Sequence, residues 1–446
     1  YKISHDLPSR KGAFILSQIS IAAVGDSFIT QHLPCDEKFN ALQEYFLQHD
    51  ARFTNFEVLL HDFEVYPAPV SGGTWAAARP AVLEDIKKLG FNIIAWANNH
   101  NIDWNLGGLL TTLHHLEDSG LVHAGVGRNL AEAGQPRYLD TPNGRLALIS
   151  VTSTISPWGM ASAQRPDVLG RPGANVLRYQ AEHRVLPEQL KTLKEILEQT
   201  DINANRRLNE MEGFAKPVAD GYFINDICIK SADTPGTITK MNPKDAERIT
   251  ASISEAKRQA DVVIVSHHTH ERKGLNKQLP ADFARDFARM CIDSGAHAYI
   301  GYGPHIWRGI EIYNKKPIFY SLGDFIFQTD SVERQPSEFY DLYNLNSNNN
   351  VADGLDCRSA HDTRGLAVDR RVFESAAVSF CVKNSSIDKI ELRPLSLGCE
   401  NGRARRARRK FADETNGKRI LSEIAALSAN YGTKIDISHN IGTIIL

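Results

Sequence analysis

Three short polar clusters each follow an apolar, strand-like run. They are Asn98-Asn99-His100 after residues 92–97, His267-His268-Thr269-His270-Glu271 after 261–265, and Gly301-Tyr302-Gly303-Pro304-His305 after 297–300. Two further runs, 19–24 and 51–56, end at Gly25-Asp26 and at Glu57. Ligands of open α/β sheets bind outside the carboxyl ends of the strands. Strands ending this way therefore bring imidazoles, amides and carboxylates to one sheet edge. Asp26, Glu57, Asn99, His100, His267 and His305 together suit a hard or borderline divalent metal, and the imidazoles favour zinc, manganese or iron over magnesium. The same set suits metal-free acid–base chemistry, with Asp26 and a histidine on opposite faces of a substrate. Spacing alone leaves both open.

Singly, each residue has a plainer use. Asp26 suits a helix cap, Glu57 a surface ion pair, and His100 a hydrogen-bonded core position. The histidines of the second cluster are harder to explain away. On an extended segment His268 and His270 share one side and His267 opposes them, so only part of the set converges. Asn99 offers an amide carbonyl, a poor base but a serviceable metal or substrate ligand.

These groups need a scaffold, and the apolar periodicity supplies one. Strand-like runs at 19–24, 51–56, 92–97 and 145–151 alternate with helical patterns at 39–48, 80–89 and 106–119. The helix over 80–89 opens on Pro80 and stops at Gly90, matching helix punctuation. This rhythm predicts an α/β fold with a mixed or largely parallel sheet. From 153 to about 241 sustained periodicity is lost apart from a helix at 187–199, and this stretch reads as an irregular insertion shaping a substrate site or lid. Regularity returns with helices at 243–259 and 280–293, strands at 261–265 and 297–300, and an antiparallel pair at 307–313 and 317–322. Residues 344–356, rich in asparagine, read as a mobile loop, 372–382 with 387–392 as a hairpin, and 418–429 as an amphipathic helix. Arg403, Arg405, Arg406, Arg408, Arg409 and Lys410 form a basic run that reads as a solvated face, with a clamp for an anion as the alternative.

Composition removes several classes. The 446 residues are 42% hydrophobic and 23% charged, ordinary for a globular protein with a large core. A net charge of -2 gives no field for nucleic acid or a membrane surface, and no run approaches a membrane-spanning length. The first residues, Tyr1 to Asp6, lack a signal-peptide profile. Six cysteines without a CxxC pair read as reduced and mostly buried, which favours the cytoplasm.

In order and wording the clusters resemble the capsule (poly-γ-glutamate) biosynthesis protein CapA family, which has a metallophosphatase-like fold. The matching pieces are Ala23-Val24-Gly25-Asp26, Thr54-Asn55-Phe56-Glu57, Ala97-Asn98-Asn99-His100 with Asp103, His267 with Glu271, Gly301 to His305 followed by Glu311, and Tyr320-Ser321-Leu322-Gly323-Asp324-Phe325. The resemblance implies a four-layer αββα sandwich over 19–330, with 331–446 completing or extending the same domain. It also implies that Asp26, Glu57, Asn99, His267 and His305 surround a one- or two-metal centre, with His100 beside it as acid or electrostatic helper. One divalent ion (manganese, zinc, iron or calcium), or none, is the expected cofactor.

Two departures from the family pattern matter. Tyr302 stands where the family has the first histidine of Gly-His-x-Pro-His, and a phenol with a pKa of about 10 is a poor substitute ligand. His267-His268-Thr269-His270-Glu271 replaces His-Trp-Gly-x-Glu, so His268 or His270 rescues a metal site by another route, or, with Tyr302 and Glu271, contacts substrate, or else the two histidines merely line the loop. Three activities follow. The first is a CapA-like enzyme on a peptide or polyglutamate-type substrate, by acid–base or single-metal chemistry; a metal-free form epimerises an α-carbon with Asp26 and His305. The second is a metal-dependent phosphoesterase, and the third a non-catalytic subunit of a polymer-synthesis complex.

Overall fold

The computed structural model describes residues 18–216, 221–406 and 409–446. The opening residues Tyr1 to Asp6 lie outside them, as does Arg408 of the basic run. Two mixed sheets dominate. The larger has ten strands, eight of them neighbours in the order Asp436–Ser438, Ile441–Ile445, Lys389–Ser396, Glu374–Lys383, Gln18–Phe28, Ala51–Phe56, Ile93–Ala95 and Val122–Ala124. Asp324–Phe327 also pairs with Gln18–Phe28, in parallel. The N-terminal half of this sheet is parallel, and the C-terminal strands join it antiparallel through Glu374–Lys383. The smaller sheet orders Ile310–Tyr313, Lys316–Phe319, Ala298–Tyr302, Val262–His268, Gly144–Thr152 and Arg137–Thr141, parallel at its centre.

Alternation along each strand sorts side chains into three cores. Ile21, Ala23, Phe53 and Ile93 of the larger sheet meet Leu148, Ile264 and Ile300 of the smaller in one core between the sheets. Ala22, Val24 and Ile94 face the other way, onto Leu42, Ile86 and Leu113 of helices Glu37–Leu47, Val82–Lys88 and Asn105–Ser119. Val263 and Val265 meet Ile249, Ile253, Phe283 and Phe287 of helices Pro243–Gln259 and Asp282–Asp293. All seven residues of Val262–His268 are buried, as expected of a central parallel strand covered on both faces. The alternation continues to its end, so His268 falls on the inter-sheet side with Ile264, and His267 on the helix side with Val265.

Several expectations are corrected. The stretch 153–241 is not irregular: it holds a sheet ordered Tyr222–Ile224, Ile227–Ser231, Tyr179–Val185 and Gly236–Met241, with helices Pro187–Glu198 and Ala204–Met211. Its strands are short and partly exposed, so no clean period marks them. The loop expected over 344–356 gives way to helix Val351–Ser359, started by a capping box between Asn350 and Asp353. Among the described residues the basic run is not one solvated face, although Arg405 is exposed. Arg403 pairs with Asp356 and Asp362, Arg406 pairs with Asp330 and Asp362, and Arg409 is buried against Phe39 and Phe325. Of the six cysteines, all unbridged, only Cys228 and Cys291 are buried. No helix among the described residues is long and apolar enough to cross a membrane.

Candidate metal centre

Asp26 sits near the end of the central strand Gln18–Phe28, beside Asp324 in parallel register. The two segments approach so closely that a Cβ on Gly25 would lie 2.2 Å from the Gly323 carbonyl oxygen, which leaves room for glycine alone. Both Asp26 oxygens are held: Oδ1 accepts from Asn55 Nδ2 at 2.7 Å and Oδ2 from the Gly303 amide at 3.0 Å. His305 adopts a left-handed φ of 61°, which turns its ring so that Nδ1 lies 3.0 Å from Asp324 Oδ1. Glu57, at the end of Ala51–Phe56, completes the group. Ligand atoms of Asp26, Glu57, His305 and Asp324 all lie within 4.8 Å of one another.

Two of these three carboxylates lack what buried carboxylates normally have. Asp26, Glu57 and Asp324 are 0% exposed. Neither oxygen of Glu57 nor Oδ2 of Asp324 has a hydrogen-bond partner. Burial, with Asp26, Asp324 and Asp103 nearby, holds the Glu57 carboxyl well above the usual carboxylate range. Burial likewise pushes Asp324 up to about 6 against the opposing pull of His305. Unsatisfied buried acceptors are rare and costly. A divalent cation removes the deficit, and three carboxylates with one imidazole form a donor set that manganese, zinc or iron accepts. The residues fit a metal.

A second layer surrounds them. His100 Nδ1 lies 2.6 Å from Asp103 Oδ2, and its Nε2 is 3.9 Å from Glu57 Oε1. Asp103 also accepts the Gly72 and Ala76 amides, so it stays an acceptor and keeps a proton on His100 Nδ1. Asn99 donates from Nδ2 to the Gly72 carbonyl at 3.1 Å, while its buried Oδ1 is unbonded. His268 lies 3.4 Å from Glu57 Oε1 and 3.2 Å from His270 Nε2 through its own Nε2. Burial lowers the pKa of both rings and favours neutral imidazole, the form that binds metal. Beside this layer opens a cavity of about 690 Å³, lined by Asn99, His270, Glu271, the hydroxyls of Ser153 and Thr154, and Tyr179 among others.

The family model for the bacterial capsule synthesis protein PGA_cap matches residues 20–329. The chain belongs to that family. The uncharacterized protein y4sH of Sinorhizobium fredii (strain NBRC 101917 / NGR234) is 29% identical over 99% of this chain and 96% of its own length. The PGA biosynthesis protein CapA of Bacillus subtilis (strain 168) is 27% identical over 54% of this chain and 44% of that protein. The capsule biosynthesis protein CapA of Bacillus anthracis is 23% identical over 70% of this chain and 60% of that protein. Both CapA proteins are thus matched over only part of their length.

Within this PGA_cap chain the residues singled out from sequence divide. Asp26, Glu57, Asn99, His100, His268, His270 and His305 come together. His267, expected as a metal ligand, does not: its Nδ1 meets the Tyr299 hydroxyl at 2.6 Å, its Nε2 meets Ser153 Oγ at 2.9 Å, and its ring packs on Phe287. Strand alternation turns it toward the helices. Tyr302, expected at the substrate, is 0% exposed in the inter-sheet core, where its hydroxyl donates to the Val24 carbonyl at 3.1 Å. Glu271 does reach the cavity, its Oε2 accepting from Ser153, Thr154 and Thr269. Asp324 and Asn55 went unassigned although both lie inside matched motifs. The available signal for Asp324 was its repetition of the Gly-Asp ending seen at Gly25-Asp26.

Proposed function

We propose that this chain is a CapA-like enzyme that hydrolyses an amide bond in a peptide or polyglutamate-type substrate. Asp26, Glu57, Asp324 and His305 would hold a divalent cation, with manganese, zinc or iron suited to the set. The observation that carries this reading is the trio of fully buried, unpartnered oxygens on Glu57 and Asp324. A cation there supplies Lewis-acid polarisation of the scissile carbonyl and acidifies the attacking water. The chain's own residues do the rest. Asn55 and the Gly303 amide fix the Asp26 carboxylate. The cavity beside Asn99 and His270 receives the substrate, and the hydroxyls of Ser153 and Thr154 line it. His100, its Nδ1 proton held by Asp103, would take the attacking water's proton at Nε2 and pass it to the leaving nitrogen as the carbon–nitrogen bond breaks.

Epimerisation by Asp26 and His305 fits less well. Two bases acting across one α-carbon each need an approach of roughly 3–3.5 Å. Their ligand atoms here stand within 4.8 Å of each other, and both Asp26 oxygens are already engaged. A shared cation suits that spacing better. Phosphoester hydrolysis would draw on the same centre. As for architecture, the three cores support reading four layers, αββα, over 19–330, with 331–446 completing the larger sheet of the same domain.

The test is to incubate γ-glutamyl oligomers with the manganese-loaded protein in 18O-water, with a parallel run in heavy water and an aryl phosphate control. Amide hydrolysis predicts one heavy oxygen in each new carboxylate. Deuterium at an uncleaved α-carbon would return the reading to epimerisation, and release of aryl alcohol to a phosphoesterase. An inert protein in all three would favour the non-catalytic subunit.

A further inference from the structure

Glu271 stands on the cavity wall, and the fold fixes its carboxylate there. Oε2 accepts from the hydroxyls of Ser153 at 3.1 Å, Thr154 at 2.8 Å and Thr269 at 2.7 Å, and Oε1 accepts none of the three. A carboxylate only accepts, so the Ser153 proton points to Glu271. His267 Nε2, 2.9 Å from Ser153 Oγ, must then be the donor of that pair. Burial keeps the His267 ring neutral, pushing its pKa down to about 3, so Nδ1 is left to accept from the Tyr299 hydroxyl at 2.6 Å. The donors thus run one way, from Tyr299 through His267 and Ser153, and end on Glu271. In this order Ser153 is no nucleophile, because the ring beside it has no lone pair to take its proton. It is a positioning residue.

What this carboxylate lacks is a counterion. Among the described residues no lysine or arginine forms an ion pair with Glu271. Arg308 Nη2 donates to its backbone carbonyl instead. Arg178, on the same wall, is bound through Nε and Nη2 to both oxygens of Asp245. Tyr179 stacks on Phe283 at 4.4 Å, and burial, with the Glu271 charge beside it, pushes its hydroxyl up to about 12, so the phenol stays neutral. The wall therefore offers one uncompensated carboxylate among neutral hydroxyls. His270, the preceding residue, shares the wall, and its ring lies 5.4 Å from that of His305, which sets Glu271 at the edge of the metal centre. Interior units of a polyglutamate chain are anionic, and like charges at short range repel. The one cation of such a chain is the ammonium at its amino terminus.

We propose that Glu271 binds the α-ammonium of the substrate, so that the cavity takes the amino-terminal residue of a peptide or γ-glutamyl chain and cleavage proceeds from that end. This rests on the reading of the cavity as the substrate site of an amide hydrolase. Ser153, Thr154 and Thr269 keep Oε2 occupied and leave Oε1 for the ligand.

Calorimetric titration of the full chain in manganese buffer, with tri-γ-glutamate and with the same trimer acetylated at its amino terminus, reads binding apart from turnover. The free trimer should bind at least about tenfold more tightly, as expected for one charge-assisted hydrogen bond. Glu271→Gln, which keeps the shape and removes the charge, should bind the two trimers equally and melt close to wild type. In digests it should raise KM for the free trimer at least about tenfold with kcat little changed. The wild-type comparison holds whether or not that variant folds. Equal wild-type affinities for the two trimers, binding of neither, or a preference that survives in Glu271→Gln overturns the inference. So does an acetylated trimer carrying a lysine side chain that binds as tightly as the free amine. The hydrolase reading fails differently: the free trimer binds preferentially and is never cleaved.

Discussion

Two carboxylate-rich regions of this molecule are built on opposite principles. In the C-terminal region Asp330, Asp356 and Asp362 are matched by Arg403 and Arg406, at 2.7 Å from Arg403 to Asp356 and 2.8 Å to Asp362, and 3.0 and 3.1 Å from Arg406 to Asp330 and Asp362. At the strand ends Asp26, Glu57 and Asp324 are more deeply buried, and no lysine or arginine pairs with them among the described residues. The outcomes diverge most between Asp362, which Arg403 pulls down to about 2, and Asp324, which burial pushes up to about 6; burial also raises Asp330, with Arg406 opposing it. Carboxylates that serve the fold carry their counterions with them. The strand-end carboxylates are left short of charge by the protein, as the cation site proposed for them requires.

The sharpest way to break this contrast is Glu57→Gln. The substitution keeps shape and removes the anionic donor, so manganese binding at the centre should be lost and amide hydrolysis should fall at least about 100-fold, in line with losing an electrostatic stabiliser of the reaction. Stability should respond differently. Because burial already disfavours the Glu57 anion, metal-free Glu57→Gln should unfold within about 1 kcal/mol of wild type. Saturating manganese, which stabilises a one-site protein by about 2.7 kcal/mol at 100 times Kd, should raise the wild-type melting temperature and leave the variant's unmoved. A variant that still shifts with manganese would place the cation elsewhere.

The contrast also explains what the sequence made legible. Apolar runs that end in polar residues are visible in one dimension, because a central parallel strand is buried on both faces and reads as an unbroken apolar run up to the polar groups at its end. Asp26, Glu57, Asn99, His100 and His305 were found that way. His267 and His268 needed one more step, strand alternation, and the motif resemblance pointed to His267, which faces the helices, because a motif fixes position in the chain and not the face of the sheet. Tyr302 misled for a related reason: a ligand position in a motif became an inter-sheet core position once a phenol occupied it. The arginine–aspartate region was illegible for a different cause. Its partners lie between 41 and 76 residues apart in the hydrogen bonds Arg403 and Arg406 make to Asp362 and Asp330, and nothing local in a basic run names the acid it will meet.

A smaller effect is expected from Arg406→Ala. The Arg406 side chain is 8% exposed, and removing it strands Asp330, 17% exposed, as well as taking one partner from Asp362 and the stacking on Phe373. Breaking a fully buried pair costs about 3–5 kcal/mol; with partial exposure, about 2–3 kcal/mol is expected in urea unfolding. Manganese binding should be unaffected, since none of these groups touches the metal centre. Coupled loss of both would mean that the two regions are one cooperative unit.

The smallest effect is a pH dependence of definite sign. In the folded chain the Asp362 carboxyl sits at about 2, held down first by its hydrogen bonds to Arg403, against about 3.9 for an unfolded aspartate. A depressed folded pKa means that the unfolded state binds the proton more readily. Stability from this group is therefore fully present above about pH 4 and lost as pH falls through about 2. Because Asp362 is partly open to solvent, screening reduces the amount but not the direction. Wild type and Asp362→Asn should differ in urea midpoint at pH 6 and converge as the pH approaches 2, with added salt narrowing the gap at pH 6. A gap that widens on acidification would show that Asp362 is not held by the arginines, and that the counterion-paired region obeys the same rule as the metal centre.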